Sequence, residues 1–179
     1  TAWDETTCRW EVFVATNRDR FGATGEADEN RALETVCYGR AQVILPRQRR
    51  GEDPRLTAPK KTLAKSSATG QSKEPDLTKV ESHALDEERF LDGVNDQLKR
   101  SRQQDLLVFV HGFNVSFDAA VARTAQIALD IPFNGAVVAY CWPSQGGVLH
   151  YDDDEPINKA SVAPFTNFLT TLRSGVPPE

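Results

Sequence analysis

The sequence lacks several features that would each assign a broad class at once. It contains no Met among its 179 residues and begins with Thr, so we expect that a leader was removed or that the chain was cut from a longer one. No apolar run approaches the roughly 18 residues of a membrane-spanning helix, and the first residues carry no signal-peptide pattern. What is left is the composition of a globular domain, with 39% hydrophobic and 26% charged residues.

Cysteine and excess charge are also scarce. Cys8, Cys37 and Cys141 are odd in number and lack C-x-x-C spacing, which predicts neither a zinc site nor a disulfide framework and favours a reducing, cytoplasmic compartment. The acidic run over residues 152–155 lacks the spacing of a calcium loop, so we interpret it as a solvated loop. No metal and no cofactor are expected. A net charge of −5 argues against nucleic acid as a partner.

Residues 46–80 interrupt an otherwise ordinary single domain, residues 1–179. Pro, Ser, Thr, Lys and Arg dominate this segment, and no hydrophobic periodicity is visible in it. Its lysines are either a patch for an anionic ligand or the charges of a solvated loop: Lys60, Lys61, Lys65 and Lys73. Since no aromatic residue stands between them to stack on bases, we favour a polar, partly disordered excursion over a nucleic-acid site.

Hydrophobic patterns predict the remaining elements. In the first half we expect strands over Trp10–Thr16 and Ala41–Leu45, separated by a polar turn (residues 17–25) and a short helix or loop (residues 26–35). In the second half, order returns at Asp86 with a helix through Phe90 and Leu98. A helix capped by Ser116 and one over Ser161–Arg173 then alternate with two buried strands, Leu106–Val110 and Ala136–Cys141. This alternation predicts an α/β fold with a doubly wound, mainly parallel sheet.

The chemistry is concentrated where two of these strands end. Ligands bind at the carboxyl ends of strands in such sheets, and the first buried strand runs directly into His111-Gly112-Phe113-Asn114. Gly112 lets a ligand approach the backbone, so the Phe113 N–H is a candidate donor to a developing oxyanion, while His111 and Asn114 are expected to shape the loop.

The second strand ends in Trp142-Pro143-Ser144-Gln145-Gly146, where Trp142 and Ser144 are candidates for the lining of a pocket. Together with the His111–Asn114 corner, this segment resembles a bacterial family of alpha/beta hydrolases of unknown function. Further segments that fit the family are Ala15-Thr16-Asn17-Arg18, Tyr38-Gly39, Phe117–Ala120, Arg123–Gln126, Tyr151-Asp152 and the final helix. The resemblance implies a serine nucleophile, an acid and a histidine that hydrolyse the ester, thioester or amide of a small acyl substrate.

No nucleophile can be identified, because no G-x-S-x-G occurs. Family members continue past the final helix into the strand that carries the nucleophile, so we expect a fold truncated before that strand and a chain inactive alone. A local triad of Ser144, His150 and residues 152–154 is disfavoured, since the elbow's first glycine is missing and all three groups would share one loop. A catalytic pair of Cys141 and His150 is also disfavoured, because Cys141 is expected to pack within its strand.

The alternative hypothesis is a binding or oligomerisation module built on half of the fold, which self-associates through an exposed sheet edge.

Overall fold

A computed structural model describes residues 7–22, 28–46, 79–144 and 151–176. The described residues form five strands: β1 (Thr7–Asp19), β2 (Asp28–Pro46), β3 (Lys79–Leu85), β4 (Asp105–Val110) and β5 (Gly135–Cys141). They also form four helices: α1 (Glu87–Arg100), α2 (Phe117–Asp130), α3 (Tyr151–Ala160) and α4 (Val162–Gly175). All five strands belong to one sheet in the order β3-β2-β1-β5-β4. The predicted α/β class is confirmed.

The sheet is mixed, so the expectation of a mainly parallel sheet was wrong. The pairs β1–β5 and β4–β5 are parallel, whereas β1–β2 and β2–β3 are antiparallel. The connection between β1 and β2 explains part of this difference. It is shorter than the dozen or so residues that a parallel crossover requires, so the chain returns antiparallel.

Three predictions for the first half need correction. The first strand continues to Asp19 and β2 begins at Asp28, where a turn and then a helix or loop were expected. Pairing with β1, which sets Thr16 opposite Cys37, overrides a weak local pattern here. Strand β3 was not predicted; it begins in the last two residues of the polar excursion and ends at Leu85, just before the point at which order was expected to return. Residues 47–78 of the excursion lie outside the described residues.

Two apolar layers cover the faces of the sheet. Consecutive side chains of β1 alternate between them: Val12 and Val14 pack with α2, while Phe13 and Ala15 pack with α1 and α4. Strand β5 is buried along its whole length, as predicted. Strand β4 is only partly buried, contrary to the prediction, because β5 is the one neighbour it has in the described sheet.

Helices α1, α2 and α4 begin where the sequence predicts. The Asp86 carboxylate accepts the Arg89 N–H at 2.8 Å to begin α1, and the Ser116 hydroxyl accepts the Ala119 N–H at 3.3 Å to begin α2. One face of α2 is buried against the sheet, with these residues on it: Phe117, Val121, Thr124, Ala125 and Ala128.

Helix α3 replaces the loop expected over residues 152–155. Ile157 packs against the core beside α4. Glu155 and Lys159, one helical turn apart, form an ion pair at 2.7 Å that stabilises the helix. The predicted final helix is confirmed as α4.

Candidate functional site

Three strand ends meet at one edge of the sheet. Strands β1, β5 and β4 are adjacent and parallel, so their carboxyl ends lie side by side. Residues 111–114 follow β4, residues 142–144 follow β5, and Asn17 and Arg18 lie near the end of β1. This is the edge at which α/β sheets bind ligands.

The residues after β4 and β5 are held together by His111 and Trp142. Their rings stack with centroids 5.3 Å apart and planes within 6°. The indole N–H of Trp142 donates to the His111 carbonyl oxygen at 2.9 Å, and His111 Nε2 lies 3.0 Å from the Trp142 carbonyl oxygen. The other ring nitrogen of His111 lies 2.7 Å from the Gly112 carbonyl oxygen. His111 therefore contacts residues of both loops, and its loop-shaping role stays a prediction.

A second contact joins the same two loops. Asn114 adopts the left-handed backbone region with φ 57°, which Asn tolerates better than most residues. Its backbone N–H donates to Ser144 Oγ at 2.6 Å. Ser144 is buried with 2% exposure, so its hydroxyl supports the loop from within rather than facing a ligand.

An open cleft of about 250 Å³ lies beside this corner. His111, Gly112, Phe113 and Trp142 border one side, and residues of α3 and α4 with the α3–α4 corner border the other: Asn158, Ser161, Val162 and Phe165. The Phe113 ring is 44% exposed and meets Trp142 edge to face at 5.4 Å. Trp142 borders this cleft, whereas Ser144 is not one of its lining residues.

Two buried polar residues of β1 contact this site and were missed in the sequence. Asn17 and Arg18 are at most 1% exposed. Arg18 Nη2 donates to the Val115 carbonyl oxygen at 2.6 Å and lies 3.4 Å from His111 Nε2. A polar Thr-Asn-Arg-Asp run at the end of an apolar strand was the available signal, but it is also typical of a turn.

Asn17 belongs to a chain of hydrogen bonds beneath the other side of the cleft. The Tyr140 hydroxyl donates to Asn17 Oδ1 at 3.2 Å, Asn17 Nδ2 donates to Ser161 Oγ at 2.9 Å, and Ser161 Oγ donates to the Ile157 carbonyl oxygen at 2.8 Å. Burial raises the pKa of the Tyr140 hydroxyl well above its ordinary value, with smaller contributions from Cys141 and Tyr38. Tyr140 therefore remains a neutral donor at physiological pH.

A larger cavity of about 320 Å³ lies elsewhere, bordered by Phe21, Cys37, Tyr38 and Glu87 among others. Burial, and to a lesser degree Asp19, raises the pKa of the Cys37 thiol. Because the thiolate is the nucleophilic form, Cys37 is a poor nucleophile at neutral pH. We place the candidate site at the cleft beside His111, because the carboxyl ends of three parallel strands meet there.

The local triad disfavoured above gains no support. Ser144 is buried, Cys141 is buried within β5, and His150 together with the side chains of residues 152–154 lies outside the described part of the chain. Among the described residues, no group of three His, Cys, Asp or Glu side chains is placed to hold a metal ion. No helix in the described ranges is long and apolar enough to cross a membrane.

Comparison with known proteins identifies one family. The model of the family described as "Alpha/beta hydrolase of unknown function (DUF900)" matches residues 86–178, which is just over half of the chain. The match includes the His111 corner, Trp142, Ser144 and the α3–α4 side of the cleft. No curated protein and no solved structure matches the chain.

Proposed function

We propose, since the chain belongs to the family of alpha/beta hydrolases of unknown function, that its parent protein hydrolyses an ester, thioester or amide of a small acyl substrate through a serine nucleophile. The observation that carries this proposal is the exposed Gly112–Phe113 corner at the carboxyl end of β4, beside the cleft. Attack on an acyl carbon places negative charge on the carbonyl oxygen, and the Phe113 N–H is the donor that we assign to it. One such donor lowers the activation free energy by about 3 kcal/mol.

Three residues around this donor have supporting roles in the proposal. Gly112 leaves room for the substrate, because a Cβ at this position would meet no atom within 4 Å. His111 and Asn114 shape the loop through their contacts with Trp142 and Ser144. Preorganisation of this kind matters because a donor that must move during the reaction stabilises the charge less.

The nucleophile, acid and base are proposed to come from outside residues 1–179. No G-x-S-x-G occurs among these residues, and Ser144, which contacts the Asn114 N–H, is buried. In this fold the order along the chain is Ser, then Asp or Glu, then His. We therefore propose that these residues are the part of an alpha/beta-hydrolase domain that precedes the nucleophile strand, and that they are inactive alone.

A serine-directed fluorophosphonate probe tests this proposal. We expect stoichiometric labelling of the full-length gene product and no labelling of purified residues 1–179 whose folding has been verified by circular dichroism. Labelling of the 179-residue chain would place the nucleophile within it and refute the proposed division. A full-length product that is not labelled and hydrolyses no ester would refute the hydrolytic function. The coding sequence beyond residue 179 gives a prior check, since the proposal requires an in-frame strand followed by G-x-S-x-G.

The alternative function is a non-catalytic binding or oligomerisation module. The observation that favours it is the state of β4: the side chains of residues 106–109 are half-buried and Val110 is 43% exposed. An apolar strand at a sheet edge is a template for pairing with another chain, and a second copy is the partner we propose for it. Light scattering over a range of concentrations separates the two functions, because a strictly monomeric, non-aggregating species would contradict the module.

A further inference from the structure

Two consecutive residues near the end of β1 contact opposite sides of the cleft. Successive side chains of a strand point to opposite faces of the sheet. Arg18 accordingly reaches the β4–α2 loop at Val115 and His111, whereas Asn17 reaches Ser161 at the corner between α3 and α4. Both sides of the cleft are therefore tied to one strand, which pairs with β5 through Phe13–Thr16 and with β2 on either side of a register shift between Thr16 and Arg18.

The Arg18 contact holds the loop that contains Phe113. Its guanidinium donates to the Val115 carbonyl oxygen at 2.6 Å, two residues beyond Phe113, and lies 3.4 Å from the His111 ring, two residues before it. With 1% exposure the guanidinium cannot exchange these contacts for water. A hydrogen bond from a charged donor is stronger than one between neutral groups. The loop is thus anchored at Val115, two residues beyond the proposed oxyanion donor, and the guanidinium packs beside the His111 ring before it.

The Asn17 contact holds the opposite side. Its amide accepts from Tyr140 and donates to Ser161, so the side-chain amide links β5 to the start of α4. Ser161 borders the cleft together with Val162 and Phe165, which are the next residues along this side. Since Asn17 and Ser161 are both buried, loss of either group would leave a buried donor or acceptor unsatisfied.

We propose that Asn17 and Arg18 are positioning residues of the cleft, with different parts of the reaction under their control. This inference rests on the proposed hydrolytic function. Arg18 fixes the loop whose N–H meets the developing charge, so its loss lowers kcat. Asn17 fixes the side against which the acyl substrate lies in the ground state and the transition state alike, so its loss raises KM.

The kinetic test uses the full-length gene product and a chromogenic ester. Arg18→Gln lowers kcat at least about tenfold and leaves KM within about twofold, and Arg18→Lys recovers part of kcat because one charged donor remains. Ser161→Ala, which removes the acceptor of Asn17, raises KM about fivefold with kcat retained. The matched controls Arg20→Gln and Ser174→Ala, at sites outside the cleft, change neither constant. Kinetics of Arg18→Gln or Ser161→Ala indistinguishable from their controls would overturn the proposal.

Amide hydrogen exchange tests the positioning without any hydrolysis. The Asn114 amide, which donates to Ser144 Oγ, should exchange about tenfold faster in Arg18→Gln while the Phe165 amide, which donates to the Ser161 carbonyl oxygen, is unchanged. Ser161→Ala should produce the reverse pattern. If both amides exchange as in the wild type, the positioning roles are refuted. If the amides respond but no ester is hydrolysed by the wild type, the hydrolytic function fails while the coupling of β1 to both loops stands.

Discussion

Gly112 and Gly135 show how differently two glycines at the ends of strands use their missing side chain. A Cβ on Gly112 would meet no heavy atom within 4 Å, whereas one on Gly135 would overlap the Asp105 carbonyl oxygen and the Phe133 ring. Gly135 is therefore required by packing between β4 and β5. Gly112 has no such packing requirement, which agrees with a role in admitting a ligand to the Phe113 N–H.

We expect Gly112→Ala to separate folding from hydrolysis. The free energy of unfolding should stay within about 0.5 kcal/mol of the wild type, because the added methyl group meets no neighbour. In the full-length protein kcat/KM should fall at least about tenfold, since that methyl group stands beside the proposed oxyanion donor, whose full loss costs about a hundredfold or more. Urea unfolding and ester hydrolysis measure the two effects.

The matched control is Gly135→Ala, the same chemical change at a packed position. It should destabilise the fold by about 1–3 kcal/mol through overpacking. Wild-type hydrolysis by Gly112→Ala would show that Gly112 does not border the reacting carbonyl group.

At the scale of single elements, helix α2 depends on the residue just before it, Ser116, for its position behind the loop. Ser116 follows the 111–115 segment directly, and its hydroxyl accepts the Ala119 N–H. Replacing this hydroxyl leaves one of the first helical N–H groups without its acceptor. The same residue therefore ends the loop of the candidate site and begins the helix that covers one face of the sheet.

We predict that Ser116→Ala lowers the free energy of unfolding by about 1 kcal/mol and that Ser116→Gly costs only a few tenths of a kcal/mol. Glycine at this position lets water reach the exposed N–H groups, whereas alanine provides neither an acceptor nor that access. Urea titrations of the two variants beside the wild type measure the difference. Equal stability of Ser116→Ala and the wild type would show that the hydroxyl does not stabilise the helix.

The elements that were predicted correctly have patterns that are complete within a short window. Helices α1, α2 and α4 repeat apolar residues at helical spacing, and β5 is continuously apolar. By contrast, β3 and the first half of β2 are polar strands whose pairing with distant segments decides their structure. Helix α3 was missed because its apolar side rests on Ile157 alone among the residues whose side chains are described.

The candidate site divides in the same way. His111, Phe113 and Trp142 could be placed at strand ends from the sequence, since each follows a recognisable apolar strand. Asn17 and Arg18 could not, because a buried polar residue is recognised by its partners: Ser161 lies 144 positions from Asn17, and His111 lies 93 positions from Arg18. Without those partners, burial of a guanidinium would be too costly to expect.

At the scale of the whole molecule, the sheet buries ionisable hydroxyl groups whose protonation is coupled to folding. Tyr140 lies near the end of β5, between β1 and β4, with 2% exposure, and its hydroxyl donates to Asn17. Tyr38 is also buried, and burial raises its pKa as well. Folding therefore favours the protonated form of both hydroxyl groups relative to the unfolded chain.

The sign of the resulting pH dependence follows from linkage. Below the ordinary tyrosine pKa of about 10, the folded and unfolded chains both hold these protons, so the stabilisation is fully present. Above that pH the unfolded chain releases protons that the folded chain keeps, because the pKa of Tyr140 is raised on folding. Stability must therefore fall as the pH rises above about 10.

We expect Tyr140→Phe to make this alkaline fall less steep, because the variant has no hydroxyl to ionise in the unfolded chain. At pH 7 the variant should be less stable than the wild type by about 1 kcal/mol, since the Asn17 carbonyl group loses its donor. Tyr38→Phe should also make the alkaline loss of unfolding free energy less steep, and the double variant should show the sum of the two effects. Urea unfolding at a series of pH values from 7 to 11 measures the slopes. An identical alkaline slope in Tyr140→Phe and the wild type would show that Tyr140 does not link folding to proton binding.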